Sequence, residues 1–242
     1  MRALSEQELL NAWELGQRQT LPVRALILLA SSCPESSLES IARLGTGKRD
    51  SFLLTLREIT FGRLMLGIIS CPECSEKLEL DFEVDDLRSG LGSGSESTIS
   101  ISLCGYDLKI RPVNTYDLQS IVRLKDLSRA RYELLRRCIL KIEYQGNDIS
   151  FEGLPKAVIE AVEEKLEEMD PQGDVRLALS CPSCGHKWEA PFDIVSFFWT
   201  EIDSWARHIL REVHTLAEKY GWSESDILSL SPNRRRTYLE MT

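Results

Sequence analysis

Ser70-Cys71-Pro72-Glu73-Cys74 and Ser180-Cys181-Pro182-Ser183-Cys184-Gly185 decide how this chain is read. Two cysteines separated by two residues sit on a turn tight enough for both thiolates to reach one metal ion. Two such turns complete a tetrahedral four-sulfur shell, the closed geometry of structural zinc. Cys71, Cys74, Cys181 and Cys184 are therefore the candidate metal ligands, and zinc the candidate ion. Each pair leads into an alternating stretch, Leu78, Leu80, Phe82 and Val84 after the first and Trp188 to Phe192 after the second. Alternation of this kind is the period of a half-buried strand. The two knuckles read as halves of one ribbon, split by an inserted region over residues 75–180. Closing a loop of that length costs only logarithmically more than closing a short one, so a metal clamp between distant segments is feasible.

The remaining cysteine chemistry is weaker. The chain has seven cysteines, an odd number, and residues 1–17 place Glu6, Glu8 and Glu14 where an export signal needs an apolar core. Reduced thiols and a cytoplasmic protein are expected. Cys33, Cys104 and Cys138 are isolated and read as small buried hydrophobes. His186 lies close to Cys184, but four cysteines already fill the shell. No thioredoxin-like pattern surrounds either pair, which leaves redox sensing a minor alternative.

Outward from the knuckles the sequence is mostly helical. Ser5 with Glu8 forms a capping-box pattern ahead of Leu9, Leu10 and Trp13. After Pro22 a second helix covers 23–30, and residues 51–67 are expected to form another. Gly45-Thr46-Gly47 is expected as a turn, and 90–98 as a flexible loop or hairpin tip. Residues 98–103 and 106–110 read as paired strands around Cys104-Gly105. Helices are expected from Asn114 or Thr115 to 124, over 128–140 and over 155–169, the last with a solvated acidic face. Phe198, Ile202, Trp205, Ile209, Val213, Leu216 and Tyr220 form one helical stripe that Gly221 terminates. Ser223 and Ser231-Pro232 cap two short helices after it. The expected fold is thus α+β: mostly helical, with a split four-cysteine zinc-ribbon-like β element and a long C-terminal helix followed by two short ones. The expected organisation is an N-terminal helical region (1–70), the split ribbon with its insertion (71–193) and a C-terminal helical docking region (194–242).

Composition narrows the function. Apolar residues are 43% and charged residues 28% of 242, ordinary for a globular protein. A net charge of −9 opposes wholesale wrapping of nucleic acid or of an anionic membrane. The longest apolar run, residues 25–30, is far too short to span a bilayer. The phosphate-loop pattern fails at Ala42 and Arg49, and no catalytic constellation stands out. Trp199, Trp205, Trp222 and Tyr238 could anchor a protein interface. Arg234 and Arg235 could meet a partner's carboxylates, or phosphates if the terminal helices bind DNA. A zinc-dependent nucleic-acid-binding regulator is the alternative, although acidic residues match the basic ones over 201–242.

A resemblance rests on longer runs. Cys181-Pro182-Ser183-Cys184-Gly185-His186-Lys187-Trp188 is followed by Phe192-Asp193-Ile194, Phe198-Trp199 and Glu201-Ile202. Glu212-Val213-His214, Tyr220-Gly221-Trp222, Ser231-Pro232, Arg234-Arg235 and Tyr238-Leu239-Glu240 come next. Upstream stand Arg24-Ala25-Leu26, Gly47, Arg49-Asp50, Leu56-Arg57-Glu58, Arg111-Pro112 and Asp117-Leu118. Together these resemble a small family encoded with contractile phage tails and phage-tail-like injection systems. The resemblance implies a non-enzymatic chaperone or minor subunit of the baseplate or central hub, with baseplate or hub proteins as partners. Only the four cysteines carry across as family site residues.

Overall fold

The computed structural model describes residues 1–88 and 98–242. The glycine- and serine-rich stretch expected as a flexible loop falls largely on 89–97, outside the described residues. The chain is a mixed helix and sheet protein organised around one long helix, α8 (Ile194–Tyr220). Ile194, Val195, Phe198, Trp199, Ile202, Ala206, Ile209, Val213 and Leu216 form its buried stripe. Each large apolar side chain there contributes about 1.5–3 kcal/mol of burial. Asp193 caps its start by accepting from the Val195 amide at 3.0 Å. Gly221, at φ 68°, ends it in the left-handed conformation that suits glycine.

Four N-terminal helices pack around α8: α1 (Glu6–Gly16), α2 (Leu21–Ser32), α3 (Leu38–Ala42) and α4 (Thr46–Phe61). The capping box of Ser5 and Glu8 is formed as the sequence indicates. Leu9, Leu28, Leu29, Leu53 and Leu56 meet the α8 stripe in a continuous core. Two short helices, α9 (Glu224–Ser229) and α10 (Pro232–Glu240), fold back on α8, capped by Ser223 and Ser231.

Among the described residues the sheet structure is three separate antiparallel units. β1 (Leu64–Ser70) pairs with β2 (Lys77–Glu83), and β7 (Val175–Ser180) with β8 (Lys187–Phe192). Between these hairpins lies a four-stranded sheet in the order β3 (Ile99–Leu103), β4 (Tyr106–Ile110), β5 (Ile139–Tyr144), β6 (Asn147–Asp148). Helices α5 (Thr115–Ile121), α6 (Leu127–Cys138) and α7 (Lys156–Met169) accompany it. Leu108, Ile110, Leu135, Ile142, Phe151, Val158 and Val162 form a second core distinct from the α8 core.

Several local expectations are corrected. The helix expected over 51–67 ends at Phe61, and Leu64 onward is strand. Gly62 breaks it at φ 90°, donating to the Glu58 carbonyl at 2.9 Å and accepting from Arg57 Nη1 at 2.8 Å. The helix expected over 128–140 stops at Cys138, where β5 begins. Gly45-Thr46-Gly47 is the start of α4 rather than a free turn, because the Gly47 amide donates to Asp170 Oδ2 at 2.9 Å. That contact ties α4 to the residue that follows α7. Cys138 is buried, but Cys33 is only half-buried and Cys104 is exposed. Cys104 (φ 52°) and Gly105 (φ 82°) form the tight turn between β3 and β4, where a side chain points to solvent.

Candidate metal centre

Each Cys-Pro-x-Cys segment is the tip of a hairpin. In the first, the Cys71 amide donates to the Glu76 carbonyl at 2.9 Å and the Ser75 amide to the Cys71 carbonyl at 2.9 Å. In the second, Cys181 donates to His186 at 2.8 Å and Gly185 to Cys181 at 2.9 Å. The residue after the second cysteine has positive φ in both, 61° at Ser75 and 74° at Gly185. Strand registers agree as well, with Ser70 opposite Lys77 and Ser180 opposite Lys187. The hairpins are copies of one motif at a constant offset, and the equivalent rings Phe82 and Phe192 meet edge to face at 5.8 Å.

The copies bring their cysteines together crosswise. Cys71 Sγ lies 3.7 Å from Cys184 Sγ, and Cys74 Sγ lies 3.6 Å from Cys181 Sγ. Exchanging the hairpins turns one pair into the other, so the cluster has a local two-fold relation. All four sulfurs lie within 4.8 Å of one another. A tetrahedron with metal–sulfur bonds of about 2.3 Å has edges of about 3.8 Å. The donor set therefore fits a four-coordinate thiophilic ion, and the cluster can hold a metal.

Electrostatics point the same way. The Cys184 amide leads the effects that pull the Cys181 thiol down to about 7, with help from the Ser183 amide against burial. The Glu76 amide also lowers Cys74, but burial and the sulfurs of Cys181, Cys184 and Cys71 outweigh it and carry Cys74 up to about 12. Four thiols this close cannot all ionise against one another, whereas a bound dication removes that repulsion. Cys71 and Cys181 are buried and Cys74 and Cys184 exposed, so one edge of the cluster faces solvent. The His186 ring stacks on Trp188 at 5.8 Å.

The six expected partner contacts differ in how far the fold exposes them. Arg235 is 2% exposed; its Nη1 and Nη2 reach Glu6 at 2.6 and 2.9 Å, and its Nε reaches Glu212 at 2.9 Å. Trp199 is buried under the Arg24 guanidinium, 4.5 Å from the ring centre. Both of these expected contacts, Arg235 and Trp199, are interior in this fold. Trp222 stacks on Tyr220 at 4.7 Å and Tyr238 packs against Trp222 at 4.9 Å, fastening α10 to α8. Trp205 is half-buried and Arg234 exposed.

Buried charge elsewhere was not legible as such. Arg57 clamps Glu201 through Nε at 2.9 Å and Nη2 at 2.5 Å, joining α4 to α8. Arg49 contacts Asp50 at 2.7 Å beside a cavity of about 390 Å³ lined by Leu54, Leu118, Phe192 and Ile194. Burial pushes the Asp50 carboxyl up to about 6 despite the Arg49 charge.

A helical core and twin cysteine hairpins define a protein with the capacity to hold a metal ion. Residues 4–199 match the family model described as T4 bacteriophage base plate protein. The match spans most of the chain, and the chain belongs to that family. No curated protein and no solved structure matches it. No helix among the described residues is long and apolar enough to cross a membrane.

Proposed function

We propose that this chain is a non-enzymatic assembly factor, either a chaperone or a minor structural subunit, for the baseplate or central hub of a contractile phage tail or phage-tail-like injection system. The observation that carries the reading is the family match across both knuckles and the inserted region. In this reading a zinc ion on Cys71, Cys74, Cys181 and Cys184 is structural. With four protein sulfurs there is no open position for substrate, which suits a fold-stabilising role. The protein is made in the cytoplasm and meets baseplate or hub proteins there. The regulator alternative is weakened because Arg235, the centre of the Arg234–Arg236 run, is neutralised internally by Glu6 and Glu212.

Quantitative mass spectrometry of purified particles, paired with a deletion strain, tests this. Stoichiometric presence marks a structural subunit. Absence from particles, with assembly failing in the deletion strain, marks a chaperone. Absence with normal assembly refutes the assembly role.

A further inference from the structure

The cavity beside Arg49 and Asp50 lies between α4, α5 and the start of α8. Its apolar walls are Leu54 of α4, Leu118 and Ile121 of α5, Phe192 of β8 and Ile194 of α8. It measures about 390 Å³, and the exposed Val122 and Asp193 among its lining residues leave it open to solvent. Its polar side carries more negative charge than positive. Arg49 is the one cation among the described residues that line it, against Asp50 and Asp193. Asp170, which accepts from the Gly47 amide at 2.9 Å, is a third carboxylate close enough to act on Asp50. Asp50 is 9% exposed, and its Oδ1 takes the Arg49 contacts, from Nε and from Nη2, at 2.7 Å. Asp50 Oδ2 has no partner among the described residues, and Asp193 uses Oδ1 alone to cap α8. Burial above all, and then the Asp193 and Asp170 charges, push the Asp50 carboxyl up to about 6, although Arg49 pulls it down. One guanidinium thus faces three carboxylates at the side of an apolar cavity.

We propose that this cavity binds an alkylammonium group, an ammonium on a short aliphatic stem. The stem lies against Leu118, Ile121 and Val122, which removes its apolar surface from water. The ammonium donates to Asp50 Oδ2, and the Asp193 charge adds to the attraction. A guanidinium is a poorer match, because its planar fork seeks both oxygens of one carboxylate and Asp50 has only Oδ2 to offer. Among the described residues, three or more close metal-ligating side chains occur at the cysteine cluster alone, so no shell for an inorganic cation forms here. An anion is opposed by both carboxylates, and the unpartnered Nη1 of Arg49 is closed to solvent.

Titration of the full-length, methyl-labelled protein with n-butylammonium at about pH 8, where the carboxylates are ionised, tests the proposal. Saturable shifts of the Leu118, Ile121 and Val122 methyl signals are expected. Asp50→Asn should weaken binding about tenfold or more. Asp193→Asn should weaken it about two- to fourfold, the range of an exposed ion pair. Asparagine still caps a helix, so this second variant keeps the test decisive if Asp50→Asn does not fold. Absence of saturable shifts overturns the proposal, as does undiminished affinity in both variants. So does binding of n-butanol or butyrate as tight as that of the amine, or displacement of the amine by magnesium ions at equal ionic strength. N-acetyl-lysine N-methylamide separates the two sources of such a group. Binding as tight as that of butylammonium assigns the cavity to a lysine side chain of a partner protein, and its exclusion assigns the cavity to a free amine.

Discussion

Replacing Cys181 by serine removes one of the four clustered sulfurs, and a metal proposed to be shared by the two hairpins should then be released. The magnitude follows from topology. Cys74 and Cys181 are 107 residues apart, and joining such a pair in the unfolded chain costs about 4.8 kcal/mol of loop-closure entropy. In the folded protein the core already holds the hairpins together, so a four-sulfur metal favours the native state over the unfolded one by about that amount. With an unfolding entropy of about 2.1 cal/mol/K per residue, Tm should fall by about 10 °C. Cys71→Ser should do the same. The double variant should be lower than either single by only about 1 °C, because the first substitution has already emptied the shared site. Thermal melts with elemental analysis before and after chelation read all three quantities. Stoichiometric metal in both single variants, or a double loss equal to the sum of the singles, refutes a shared centre.

Arg235→Ala should cost about 2–4 kcal/mol, since it strands Glu6 and Glu212 with partial access to water; the exposed Arg234→Ala should change stability by less than about 0.5 kcal/mol, and paired thermal melts check both. Gly47→Ala would set a Cβ 2.1 Å from Asp170 Oδ1 and 2.8 Å from the Gly173 amide nitrogen. A loss of about 1–3 kcal/mol is expected, with faster amide exchange over 170–173. Because the folded Asp50 pKa, about 6, lies above the ordinary value of about 3.9, the native state binds the extra proton. Stability should therefore rise as pH falls from about 6 to about 4. Asp50→Asn should flatten that segment of the pH–stability curve, and an unchanged slope would remove Asp50 as its cause.

The cysteine knuckles, the α8 stripe and most caps were legible because each is a short-range pattern with one strong physical reading. The strands that lead into the knuckles were not. Leu64 follows Phe61 at helical spacing, and Leu64 to Ile69 is apolar on both faces, so only Gly62 signals the change of period. β5 was hidden similarly, since Cys138 and Ile139 continue the apolar side of α6. The cluster's composition was visible, but its crosswise pairing depends on how the hairpins pack through Phe82 and Phe192. Arg57 and Arg235 look like surface charges because their carboxylates lie far away in sequence, 144 residues off for Glu201 and 229 for Glu6. Nothing local distinguishes a paired buried arginine from a solvated one.

The crosswise pairing of the hairpins also sets a timetable for synthesis. When Cys74 leaves the ribosome its counterpart Cys181 is still 107 codons away, roughly 5–20 s of translation. Over the same interval the N-terminal helices lack α8, the helix that completes their core. The nascent chain therefore carries half of the four-cysteine cluster and an uncovered leucine-rich surface until its last quarter emerges. Closure of the core and completion of the four-sulfur cluster then arrive almost together, within one late step of biogenesis.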